Sequence, residues 1–153
     1  MQNKSMSKMM IVCGLLAASS PAWAGDDDVK CTNRTLSGDY GFSIEGVILA
    51  LPGVTVPPGG FQLRGVAMTN FDGKGKLTQV DYITVNGMPP PVEWAPATGT
   101  YKVNADCTGT FQLIIPGNPL SPVNVRFVIV RRGLEIRTVV GANAVTSIGI
   151  KVE

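Results

Sequence analysis

The sequence predicts an all-β protein in which eight antiparallel strands run as a meander and close into a small barrel. Three observations lead to that fold. After Cys31 no stretch keeps apolar residues at helical spacing for three turns. Short runs instead alternate apolar and polar residues, the pattern of strands with one buried and one wet face. Turn residues separate the runs, in a chain of 153 residues that holds 18 Gly and 11 Pro. A two-sheet β-sandwich is the alternative, because strand count alone does not separate the two architectures.

The first segment reads as an export signal, residues 1–24. Lys4 and Lys8 give it a positive start. Met9–Ala18 is an apolar run too short to span a bilayer, and Ala22-Trp23-Ala24 offers a small-x-small cleavage site. Val12 is branched where a lipid-attachment signal at Cys13 needs a small residue. Cleavage after Ala24 removes Lys4, Lys8 and Cys13, so the formal charge of +2 becomes zero and two cysteines remain. A neutral chain has no long-range attraction to nucleic acid or anionic lipid. No nucleic-acid partner is expected, and no transmembrane segment once the signal is gone. The expected location is periplasmic or extracellular.

Residues 25–35 form an N-terminal segment with a solvated acidic run, Asp26–Asp28, and Cys31. Cys31 and Cys107, an even pair in an exported chain, read as one disulfide. Residues 36–153 form the barrel domain. Its eight runs are Leu36–Leu49, Phe61–Phe71, Leu77–Val85, Ala97–Val103, Thr110–Ile115, Val123–Arg131, Leu134–Val140 and Val145–Val152. In the first, Tyr40, Phe42, Ile44 and Ile48 share a face opposite Asp39, Ser43 and Glu45. In the sixth, Val125, Phe127 and Ile129 oppose Asn124 and Arg126. In the seventh, Leu134, Ile136 and Val140 oppose Glu135 and Arg137. Closure removes the exposed edge strands that invite aggregation.

The connections sort by kind. Asp72–Lys76, Asn104–Gly109 and Arg132-Gly133 are compact and polar. Ala50–Gly60, Asn86–Pro96 and Pro116–Pro122 are longer, apolar and rich in proline. In a meander the first set gathers at one end and the second at the other. Every proline after Pro21 falls at the second end. Cys31 and Cys107 both fall at the polar-turn end, where they can meet.

Cys31-Thr-Asn-Arg-Thr-Leu-Ser-Gly-Asp-Tyr-Gly-Phe, Phe71-Asp-Gly-Lys-Gly-Lys-Leu-Thr and Gly99-Thr-Tyr-Lys-Val-Asn-Ala-Asp-Cys-Thr-Gly-Thr are turn, glycine and cysteine motifs. They resemble those of an uncharacterised family of small exported bacterial β-barrel proteins, similar in layout to calycin-like and allene-oxide-cyclase-like barrels. The resemblance covers most of the chain after the signal. It implies a barrel that either binds an apolar small molecule or steers the cyclisation of a reactive one. No catalytic motif carries over with it.

The absence of histidine removes the commonest general base, the commonest zinc ligand and every Ser-His or Cys-His pair. No metal site and no cofactor is expected. Gly73-Lys74-Gly75-Lys76 lacks the spacing of a phosphate loop and reads as a hairpin turn. Glu45 and Glu93 offer no set distance for a glycosidase pair. Asp81 shares a phase with Leu77 and Ile83, although Val80 and Tyr82 make the other phase apolar as well. It is the first candidate for a polar anchor or general acid/base, with Tyr82 and Tyr101 behind it.

Three functions remain. The first is a binding barrel that takes an apolar small molecule from the proline-rich end. Tyr40, Phe42, Ile44 and Leu63 would line it, with Phe127, Ile129, Ile136 and the mouth residue Trp94. Leu51, Val54, Val56, Met88, Val92 and Leu120 would form the mouth loops. The second is a cyclase or isomerase that acts by shaping its substrate, and it needs an inward polar group. The third is a structural or adhesive envelope protein that associates through the apolar loop end.

Overall fold

The structure, a computed structural model, describes residues 30–153. The export signal, Cys13 and the Asp26–Asp28 run lie outside the described residues. The alternating runs become β1 (Ser37–Ile48), β2 (Phe61–Asp72), β3 (Lys76–Val85), β4 (Ala95–Val103), β5 (Thr108–Ile114), β6 (Val123–Val130), β7 (Glu135–Val140) and β8 (Ala144–Lys151). Each strand pairs antiparallel with the next, and β8 returns to pair with β1 from Tyr40↔Lys151 to Val47↔Ala144. That last ladder closes the barrel and excludes the two-sheet sandwich.

Strand residues alternate between lumen and outer wall, as the period of two requires. On β2, Leu63, Ala67, Thr69 and Phe71 are buried while Arg64, Val66, Met68 and Asn70 are exposed. One expected inward residue departs from its phase. Leu134 is 51 % exposed, because it lies in the short 3-10 turn that precedes β7 and is outside the strand.

The polar-turn end is tightly built. The Asp72 carboxylate accepts backbone N–H bonds from Lys74, Gly75 and Lys76 at 2.7, 2.9 and 2.9 Å, which fixes the β2–β3 hairpin. Those three donors hold its carboxyl below the usual aspartate value. A second 3-10 turn, Asn33–Thr35, crosses beneath the lumen and delivers Leu36 into the core, where it has no exposed surface. The Asn33 side-chain oxygen accepts the Val103 N–H at 2.8 Å. The Tyr101 hydroxyl lies 2.9 Å from the Leu36 carbonyl and 3.1 Å from that of Asn33. Cys31 and Cys107 meet at this end with sulfurs at bonding distance and Cα atoms 4.9 Å apart. The three proline-rich connections leave and re-enter the barrel at the opposite end.

Candidate functional site

The lumen holds two apolar clusters. At the polar-turn end the Phe71 ring sits at the centre of an aromatic core. It meets Tyr40, Tyr101 and Phe111 edge to face at 5.4, 5.0 and 6.4 Å, and Phe111 stacks on Phe127 at 5.9 Å. Phe42, Ile129 and Ile136 belong to the same cluster. Five of the expected ligand-lining residues, Tyr40, Phe42, Phe127, Ile129 and Ile136, are therefore packed into this sealed half.

At the proline-rich end the second cluster contains Ile48, Leu63 and Val145, with Ile44, Leu51, Phe61, Ile83, Leu120 and Val140 partly buried against it. Burial is less complete at this end, although Ile48, Leu63 and Val145 are themselves buried. Inward side chains near the polar turns are buried, whereas Ile44, Ile83, Val123 and Val140 are only half-buried. Of the mouth residues, Leu51 and Leu120 turn in against this cluster and Val56 is half-buried. Val54, Met88 and Val92 are exposed.

Ile44 and Val140 pack against both clusters, and polar side chains face the lumen beside them. From the closed end upward, the inward positions of β3 are Leu77, Gln79, Asp81 and Ile83. Thr69 Oγ1 donates to Gln79 Oε1 at 2.8 Å, and Gln79 Nε2 donates to Asp81 Oδ2 at 2.9 Å. On the facing wall the hydroxyls of Thr138 and Ser147 pair at 2.6 Å. Asp81 is 6 % exposed. Burial raises its pKa above the ordinary 3.8, and the Gln79 hydrogen bond draws it partly back. No donor among the described residues reaches the other carboxylate oxygen, Oδ1. Since no buried side-chain oxygen lacks a partner, Oδ1 borders solvent-accessible space.

The backbone opens beside this carboxyl. In register, Asp81 stands between Ala67 on β2 and Ala95 on β4, two of the smallest side chains in the barrel. Asp81↔Ala95 is also the last pair of the β3–β4 ladder, while β2 continues alongside β3 to Leu63↔Val85. Tyr82–Thr84 is thus held on one side only, and Val85 bridges to Met88 in the loop that follows. The wall is notched directly above Asp81.

The remaining candidates lie elsewhere. Tyr82 is on the outward phase of β3, and the Trp94 ring lies 6.1 Å from it. Trp94 is 49 % exposed. Tyr101 belongs to the closed end, where burial raises its pKa. Glu45 points outward and pairs with Arg64 at 3.9 Å. Glu135 is also on the outer wall, covered by Arg137 at 2.8 Å and Arg131 at 3.7 Å. The hydrogen bond from Arg137 holds its carboxyl below the usual range. Sequence reasoning found Asp81 and missed its partners. Gln79 shares the phase of Leu77 and Asp81, and that was the signal for an inward amide.

The fold and the lumen together define a closed eight-stranded meander barrel, sealed at one end and lined by one buried carboxyl below the other. Comparison with protein-family models, with curated proteins and with solved structures returned no match. No helix among the described residues is long and apolar enough to cross a membrane. That fact and the Cys31–Cys107 pair are compatible with an exported protein.

Proposed function

We propose that this protein is an exported barrel that holds an apolar small molecule, taken in from its proline-rich end. The observation that carries the reading is the incomplete burial of inward apolar side chains at the proline-rich end. Ile44, Ile83, Val123 and Val140 face inward yet stay half-buried, while the opposite end is filled with aromatic rings. Apolar side chains left partly wet at one end of a barrel suit the lining of a ligand site. The notch above Asp81 gives a way in. Prolines stiffen the surrounding loops, which lowers the ordering cost of binding.

A cyclase or isomerase is the second reading, and Asp81 is the observation in its favour. A carboxyl in an apolar lumen with a raised pKa suits general acid/base work on a bound substrate.

The binding reading is tested by native mass spectrometry and calorimetry with 1-dodecanol. A one-to-one complex is expected with wild type. Ala67→Leu, which fills the space next to Asp81, should weaken it at least tenfold, about 1.4 kcal/mol. Equal binding by both proteins would remove the lumen as the site.

A further inference from the structure

We infer that the ligand this barrel prefers is a lipophilic amine, its ammonium group seated on Asp81 and its chain on the apolar side chains of the proline-rich half. The inference rests on the binding reading above and adds the chemistry of the ligand's head.

The hydrogen-bond chain Thr69–Gln79–Asp81 has a direction. Each member donates toward the next, and the chain ends on a carboxylate that only accepts. Oδ2 is taken by Gln79, and Oδ1 is free of protein donors. What the site lacks is a donor.

The surroundings supply no cation to it. The inward positions of the flanking strands are Leu63, Gly65, Ala67, Thr69 and Phe71 on β2, and Ala95, Ala97, Gly99, Tyr101 and Val103 on β4. Tyr101 is the one titratable group among them, and its hydroxyl is engaged at the closed end. Across the lumen the Thr138 and Ser147 hydroxyls share one hydrogen bond, and Tyr40 donates to the Gly133 carbonyl. The cation that shares the inward phase is Lys151. Its ammonium lies 6.0 Å over the outer side of the Tyr40 ring, at the closed rim beyond the aromatic core. Arg64, with Glu45, is on the outer wall.

An unpaired carboxylate in such a lumen is poorly solvated, so a cation brought into contact with it gains more than it would in water. A fatty acid would bring a second negative charge to the same spot. A neutral alcohol would gain one hydrogen bond. The order follows: amine, then alcohol, then acid, at equal chain length. On the two flanking strands the carboxyl is faced by alanines, Ala67 and Ala95, which bring neither charge nor hydrogen-bonding side chain to it.

Calorimetric titration at pH 7 with dodecylamine, 1-dodecanol and dodecanoate, each below its aggregation threshold, tests the order. Dodecylamine should bind at least tenfold more tightly than 1-dodecanol, and dodecanoate most weakly of the three. Asp81→Asn should bring the amine to the level of the alcohol and leave the alcohol unchanged. In wild type the amine preference should shrink as pH falls through the raised pKa of the carboxyl and it takes up its proton. That series decides the matter even if Asp81→Asn does not fold. Amine and alcohol of equal affinity, or a preference unchanged by pH, would overturn the amine inference and leave the binding reading standing. Failure of all three probes would overturn both.

Discussion

The Tyr40 hydroxyl donates its proton to the carbonyl oxygen of Gly133, 93 residues further along the chain. Tyr40 has no exposed surface, and Gly133 ends the turn that leads into β7. One bond therefore ties the first strand to the β6–β7 turn. Tyr40→Phe should cost about 1 kcal/mol in urea unfolding, the ordinary loss when a buried carbonyl is left without its donor.

The same hydroxyl gives the fold an alkaline limit. Burial, and then the charge of Tyr101, push its pKa up to about 12 from 10.0. A folded value above the unfolded one means that the neutral form is favoured by folding. The contribution is complete below pH 10 and is lost as pH rises toward about 12. Melting curves across that range should show a steeper loss for wild type than for Tyr40→Phe. Parallel curves would assign the alkaline loss to other groups.

Asp81 acts with the same sign at lower pH. Its folded pKa is raised, so it favours folding below the unfolded value of 3.8, and that gain is lost as pH rises through the folded value. Asp81→Asn keeps the shape and drops the charge. It should raise Tm at pH 7 by roughly 4 °C, about 1 kcal/mol, and leave it unchanged at pH 3. A lower Tm at pH 7 would mean that the carboxylate is better solvated than its burial implies.

Gly109 faces the lumen on β5. A Cβ there would stand 2.2 Å from the Phe127 ring and 2.5 Å from the Lys102 carbonyl oxygen. Gly109→Ala should destabilise by about 2 kcal/mol, since neither the ring nor the strand has room to retreat. Gly41 faces outward on β1 with nothing within 4 Å of its added Cβ. Gly41→Ala should stay within about 0.5 kcal/mol of wild type. Denaturant midpoints of the two variants make the comparison direct.

Cys31 and Cys107 are separated by 76 residues. A cross-link over a loop of that size restricts the unfolded chain and stabilises by roughly 4 kcal/mol on the chain-entropy account. The double Cys31→Ser, Cys107→Ser variant should lose most of that amount in oxidising buffer. Wild type should match it after reduction.

The strands were legible because a period of two is a local signal. Tyr40, Phe42 and Ile44 announce their face without reference to any other part of the chain. The sorting of prolines to one end was legible for the same reason, since each connection is read where it stands. Contacts between distant segments were not. Nothing near Leu36 in sequence says that it sits under the core, because its neighbours there, such as Tyr101 and Ile136, come from strands far along the chain. Asp81 was ambiguous because β3 is apolar on both faces. Val80 and Tyr82 line the outer wall, next to Met68 and Val66 in register on β2. Trp94 was read at the mouth from its loop, and its ring lies near Tyr82.

The notch between β3 and β4 has a consequence for how the barrel breathes. Over most of the barrel, backbone amides lie in two-sided ladders and exchange with solvent only when a large part of the molecule opens. Tyr82–Thr84 has a partner strand on one side alone, and Val85 exchanges both backbone bonds with Met88. Deuterium should enter there first, at a cost well below that of global unfolding. The lowest rung of local stability then coincides with the one stretch of wall that borders the buried carboxyl, so that the barrel yields first where its interior has something to meet.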